Sequence, residues 1–212
     1  MLTTNQVIEF YLFINPMDKD SFENIQNILT FTKTRQEKVK LHILPLLNLP
    51  SFNHFMYKNN LSEKDLDMRN QLFSQTYDMC LTFIAASMQG KKKGRNFLLH
   101  LQEALFDQNR SYSEQLILEI AEQTKVDIPM FIEDKASDFV KATFSSDQKV
   151  AREMNVETTP SCVMFNDSMY EYGLLLENKV SYSLLNNLYS IAPNQLDTVI
   201  EKNIFPTLRV LN

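Results

Sequence analysis

With 212 residues, 44% hydrophobic and 22% charged, the chain reads as a globular protein of one domain, or of one domain with a sizeable insertion. Its net charge of −5 sets it apart from proteins that hold nucleic acid or anionic membranes through a basic surface. Two cysteines (Cys80 and Cys162), three scattered histidines (His42, His54 and His100) and three glycines exclude a disulfide framework, a metal cluster and a glycine-rich phosphate loop.

Residues 7–14, "VIEFYLFI", are β-branched and aromatic, which predicts a buried strand. Pro16 forces Asn15 out of helical geometry, and a helix opens at Asp18 or Asp20 and runs to about Gln36. Its apolar face is Phe22, Ile25, Ile28 and Leu29, and Asp20 with Glu23 has the spacing of a capping box. "KVKLHILPLL", residues 38–47, gives a second strand, and the crossover length makes the pair parallel.

After "NLPSF" the period changes. From Ser62 to about Met88, Leu66, Phe73, Tyr77, Cys80 and Ile84 form a helical stripe, which the "GKKKG" of 90–94 interrupts. "RNFLLHLQEALF" and "SEQLILEIAEQT" read as two helices, and "KASDFVKATFSSDQKVAREMNV" as one or two more. "TTPSCVMFN" reads as a strand opened by a proline. "MYEYGLLLE" is its hairpin partner across Asn166-Asp167-Ser168, and "SYSLLNNLYSIA" is a last helix before a tail without clear pattern. No run of eighteen apolar residues marks a membrane span, and "MLTTNQVIEF" lacks the regions of a signal peptide, so a cytoplasmic location is expected.

The order is β-α-β, about a hundred helical residues, then β-β-α. It divides the chain into 1–50, a helical insertion at 51–155, and 156–212 with the tail. This layout resembles the thioredoxin-like α/β fold of DsbA-type proteins. Two segments carry the likeness: "FINPMDKDSF" at 13–22, like the family's strand-to-helix corner, and Val156-Glu157-Thr158-Thr159-Pro160-Ser161, like its V-x-x-T-P segment. The resemblance implies a cis Thr159–Pro160 bond facing the corner; without it, a trans proline at a strand start is expected.

Among DsbA-like proteins the chain looks like the SpxH (YjbH) family, cytosolic adaptors that hand the regulator Spx to the protease ClpXP. Members with cysteines carry Asp-Pro-Leu, Cys-x-x-Cys and an aromatic residue. Here the matching residues are Asn15-Pro16-Met17, then Asp18-Lys19-Asp20-Ser21, then Phe22, so Asp18 and Ser21 stand where the two cysteines would. The likeness implies a contact surface of Pro16, Met17, Asp18, Lys19, Asp20, Ser21 and Phe22 with Thr159 and Pro160. It also implies protein partners, a Spx-like regulator and ClpXP, with no cofactor, metal, nucleic acid or membrane.

Dithiol exchange needs an attacking thiolate and a resolving thiol, and neither a carboxylate nor a hydroxyl replaces them. Asp18 instead suits the positive end of a helix as a cap. The label of dithiol-disulfide isomerase, which descent would attach, therefore does not fit these residues. Kappa-class glutathione transferases and their isomerase relatives share the fold and use a serine at the first position; that alternative would need glutathione. Asp18 would repel the glutathione thiolate, and no histidine lies near Ser21 in sequence to activate it.

Cys80 reads as core. Cys162, two residues beyond Pro160, reads as a packed strand residue, with a reactive or regulatory thiol as the alternative. "GKKKGR" at 90–95 reads as a solvated loop between helices, or as a docking patch for an acidic partner. Ten Met and fifteen Phe, including the cluster Phe52, Phe55, Met56 and Tyr57, are chiefly core material; an adaptable protein-binding groove is the other use of that composition.

Overall fold

Strand β1 (Val7–Ile14) is an inner strand, and the sheet grows from it in both directions. The computed structural model describes residues 7–62, 64–166, 173–191, 195 and 208–211. In chain order β1 is followed by α1 (Lys19–Lys33), β2 (Lys38–Pro45), α2 (Leu49–Lys58), α3 (Leu66–Met88) and α4 (Lys91–Phe106). Then come α5 (Glu114–Gln123), α6 (Ile128–Ala136), α7 (Asp138–Glu153), β3 (Ser161–Asn166), β4 (Gly173–Glu177), α8 (Tyr182–Ser190) and β5 (Leu208–Leu211).

The strands lie in the order β2-β1-β3-β4-β5. β2 runs parallel to β1, with Ile14 opposite Pro45, as a crossover through α1 requires. β3 is antiparallel to β1, with Leu12 opposite Cys162, and β4 and β5 continue antiparallel. Alternation sorts β1 onto two faces: Ile8, Phe10, Leu12 and Ile14 pack with Ile25, Ile28 and Phe31 of α1 and with the inserted helices. Phe13 points the other way, onto Val163, Leu175, Ala151 and Val156. Each of these fully buried side chains contributes about 1.5–3 kcal/mol of transfer free energy, and together they fix the register.

Several boundaries differ from the sequence reading for local reasons. α1 is capped by Asp18, not by an Asp20–Glu23 box, and ends at Lys33 where the Thr34 backbone turns out. Asn48 and Ser51 form a reciprocal capping box that starts α2, a helix hidden in what read as a bare aromatic cluster; Phe52, Phe55 and Met56 are its buried face, and Tyr57 is exposed. In α3 the expected stripe holds only in its second half. Leu66 is 65% exposed and Phe73 and Tyr77 are partly exposed, whereas residues 79 to 86 are buried around the whole helix.

The "GKKKG" segment is not a loop: Gly90, with φ of +121°, is the cap position, and the three lysines are the first turn of α4. Gly94 lies inside that helix because a Cβ there would stand 2.1 Å from Ser87 Oγ of α3. "IPMFIEDKA" forms α6 from an Asp127 cap, and Ser137 separates it from α7. The expected turn at 166–168 runs into residues 167–172, which lie outside the described residues; Gly173–Glu177 pairs with β3 as its hairpin partner. In the tail, 208–211 adds a fifth strand.

Candidate functional site

The corner between β1 and α1 is held by short-range hydrogen bonds that its own residue types supply. Asn15 Oδ1 accepts from Met17 N–H at 2.9 Å, and Asn15 O accepts from Asp18 N–H at 3.0 Å, closing a tight turn around Pro16. Asp18 caps α1, with its Oδ1 accepting from Asp20 N–H at 3.4 Å. Ser21, fully buried on the first turn, accepts from Asn15 N–H at 3.2 Å.

A cation unites the acidic residues. Lys58, the last residue of α2, places Nζ 2.7 Å from Asp18 Oδ2 and 2.8 Å from Asp20 Oδ2. Burial raises the Asp18 carboxyl above its ordinary pKa, against the pull of Lys58. Burial also works to lower Lys58, but the two carboxylates outweigh it and hold the ammonium charged. Nothing in the sequence signals this bridge, since Lys58 stands forty residues from Asp18 at the end of α2.

Three other elements close over the corner. Gln102 of α4 donates to Pro16 O at 3.0 Å, and Phe22 packs on Phe106 with ring centroids 6.0 Å apart. The Thr159–Pro160 peptide is cis, and Pro160 O accepts from Asn178 N–H at 2.8 Å. Asn24 of α1 reaches the same loop, donating to Asn178 O at 2.8 Å and accepting from Val180 N–H at 2.9 Å. Gln102 and Asn24 are not marked out in the sequence, where a buried amide looks like any other.

The corner is therefore much less open than its sequence implied. Pro16, Asp18, Ser21, Phe22, Thr159 and Pro160 are buried, and only Met17, Lys19 and Asp20 present surface. Chemically it offers a capped, ion-paired helix end: position 18 carries no sulfur, and the Ser21 hydroxyl already accepts from a backbone amide. Cys162 does not line it. The thiol is fully buried in the main core, and burial pushes its pKa up. Cys80 is equally buried, and both cysteines are free. Among the described residues no three His, Cys, Asp or Glu side chains gather as metal ligands, and no helix is long and apolar enough to cross a membrane.

A mixed sheet with β1-α1-β2 first, a helical block next and β3-β4-α8 last, joined at a cis-proline corner, defines a thioredoxin-like protein of the DsbA type. A sequence model of the family described as thioredoxin matches residues 11–187. The chain belongs to that family and, within it, to the family of SpxH. It is 30% identical over 203 residues to the ClpXP adapter protein SpxH of Staphylococcus saprophyticus, covering 95% of this chain and 71% of that one. It is 28% identical over 198 residues to the protein of the same name from Bacillus subtilis, covering 85% and 66%. The chain thus matches about two thirds of the length of these relatives.

Among solved structures, it is similar to a thioredoxin-like oxidoreductase from Silicibacter pomeroyi, with a TM-score of 0.56 and 16% identity over 86% of this chain and 84% of that one. It is also similar to DsbA of Pseudomonas aeruginosa, with a TM-score of 0.54 and 12% identity over 95% and 89%. At such identities the likeness establishes the fold.

Proposed function

We propose that this chain is a cytoplasmic adaptor that binds the regulator Spx and promotes its degradation by ClpXP, without thiol chemistry. The observation that carries the reading is the corner: its turn, helix end and cis-proline loop are in place, while Asp18 and Ser21 occupy the thiol positions and are tied to Lys58 and Asn15. Binding needs a shaped surface and survives the loss of both sulfurs; disulfide exchange does not. The relatives named ClpXP adapter protein SpxH support the same reading.

In this proposal Met17, Lys19 and Asp20 form the accessible contact. Pro16, Asp18, Ser21, Phe22, Thr159 and Pro160 set its shape from beneath. Titrating Spx into the chain by calorimetry tests it: a stoichiometric complex should form equally well after treatment with iodoacetamide, and Met17→Asp with Lys19→Glu should weaken it. Absence of a complex, or a complex abolished by thiol blocking of the native chain, would overturn it.

A further inference from the structure

The first turn of α4 breaks a rule that the rest of the chain keeps. Each of the other seven described helices starts with a side chain that accepts a hydrogen bond from its first turn: Asp18, Asn48, Asp65, Ser113, Asp127, Ser137 and Ser181. α4 starts at Gly90 with no capping side chain and no acidic residue, and its first five residues are Lys91, Lys92, Lys93, Gly94 and Arg95. A helix N-terminus is the positive end of the helix dipole, so four cations there oppose it.

Compensation inside the fold is slight: Lys93 Nζ donates to Gln89 Oε1 at 3.4 Å, and Lys91 and Arg95 share a cavity with Asp147. Among the described residues neither these four cations nor Lys33 opposite forms an ion pair, although ten such pairs are present elsewhere. The close seat of Gly94 on Ser87 anchors the turn to α3. A sequence that breaks a local preference with so little internal compensation points to a partner outside the chain.

The cations border a groove. Between α1 and α4 runs a depression of about 760 Å³, with Lys33, Lys92, Lys93 and Arg95 along it and Leu29 and Leu99 in its lining. It continues past Leu29 and Leu99 to Phe22 and Glu103. The seam thus has a cationic end, a middle in which Leu29 and Leu99 lie among Gln26, Thr30 and Asn96, and an end carrying the exposed acidic Glu103.

We propose that this groove docks an acidic helical segment of a protein partner. Carboxylates clustered at one end of the segment pair with Lys33, Lys92, Lys93 and Arg95, and its apolar residues lie on Leu29 and Leu99. The polarity of the seam favours such a segment over a uniform polyanion. Nucleic acid or an anionic membrane would carry its charge on past the lysines to Glu103 and over a surface that is acidic overall, at −5. The cationic end lies apart from the β1–α1 corner, which the seam reaches at Phe22, and its assignment does not depend on which regulator binds at that corner.

A fluorescent helical peptide with glutamates in its first two turns and leucines along one face serves as the probe, followed by anisotropy with the full chain. Binding should weaken as salt rises. Lys92→Glu with Lys93→Glu should weaken it about tenfold or more, as reversal of interfacial charge does. The same variant should melt no lower than the parent, because glutamates suit that end of a helix, so lost binding will not reflect misfolding. Reversing Lys64 and Arg152, the same change in charge away from the groove, should leave binding intact. Equal affinity for a peptide with glutamines in place of the glutamates, undiminished binding by the Lys92–Lys93 variant, or tighter binding of single-stranded DNA or phosphatidylserine vesicles would each overturn the proposal.

Discussion

Replacing Lys58 with methionine tests the physical reading of the corner, because it removes the charge and keeps most of the aliphatic stem. The Asp18 side chain is 4% exposed, so the variant would leave a buried carboxylate with one backbone amide at 3.4 Å and no cation. Removing one partner of a buried ion pair costs about 3–5 kcal/mol. Lys58 is itself 25% exposed and Asp20 37%, so solvent screens part of the bridge, and the expected loss is about 2–3 kcal/mol. In a domain of this size that corresponds to a fall in Tm of roughly 5–10 °C.

The loss should depend on pH with a definite sign. Burial already raises the Asp18 pKa above 3.8, and without Lys58 only the hydrogen bond from Asp20 N–H opposes it. The unfolded chain then releases this proton before the folded one does. The penalty is absent below the unfolded pKa and grows as pH rises towards the folded one. Urea titrations of Lys58→Met, Asp18→Asn and the double variant at acidic and mildly basic pH measure both effects. A penalty below about 0.5 kcal/mol at neutral pH, or one of equal size in the Asp18→Asn background, would refute the reasoning.

Other outcomes follow from the same structure. Asp147 lines a cavity under the β2 edge, and burial pushes its carboxyl up to about 7. The parent should therefore lose stability as pH rises from about 4 to 7, and Asp147→Asn should be more stable by ~2 kcal/mol at pH about 8 and no more stable near 4, read from denaturation midpoints. Cys80 and Cys162 should resist iodoacetamide in the native chain and react once it is unfolded, as counted by mass spectrometry. Asp18→Cys with Ser21→Cys should close a disulfide in glutathione buffer. Helix α1 and Lys58 should also hold the thiol at position 18 below the ordinary value of about 8.5, by absorbance titration of the thiolate.

Much of the fold was legible because its signals are local. β1 announces itself by six β-branched and aromatic residues out of eight, and "SEQLILEIAEQT" reads as the helix that α5 proves to be. The cis-proline loop and the Asp18–Ser21 turn were recognisable as motifs. Helix α2 is hard to read from the sequence, although Asn48, Pro50 and Ser51 spell its start, because four clustered aromatic and methionine residues mask its helical spacing. α4 was started too late because glycines on both sides of three lysines read as a loop, when one glycine is a cap position and the other a contact with Ser87.

The site was less legible than the fold. Which residues stand at the corner follows from the motif, but how deeply they lie does not: Gln102 and Phe106 of α4, Asn178 after β4 and Lys58 of α2 come from three distant places. Cys162 shows the same limit. Spacing placed it two residues from Pro160, and only the packing of β3 against β1 shows its thiol turned into the core.

The most direct measurement of the central claim is proteolysis of purified Spx by ClpXP, with this chain or with its Cys80→Ala, Cys162→Ala variant. The account predicts several-fold faster loss of Spx with either protein, at the same rate under reducing and oxidising conditions. Acceleration by the parent but not by the cysteine-free variant, with that variant folded to the same Tm, or no acceleration by either, would contradict it.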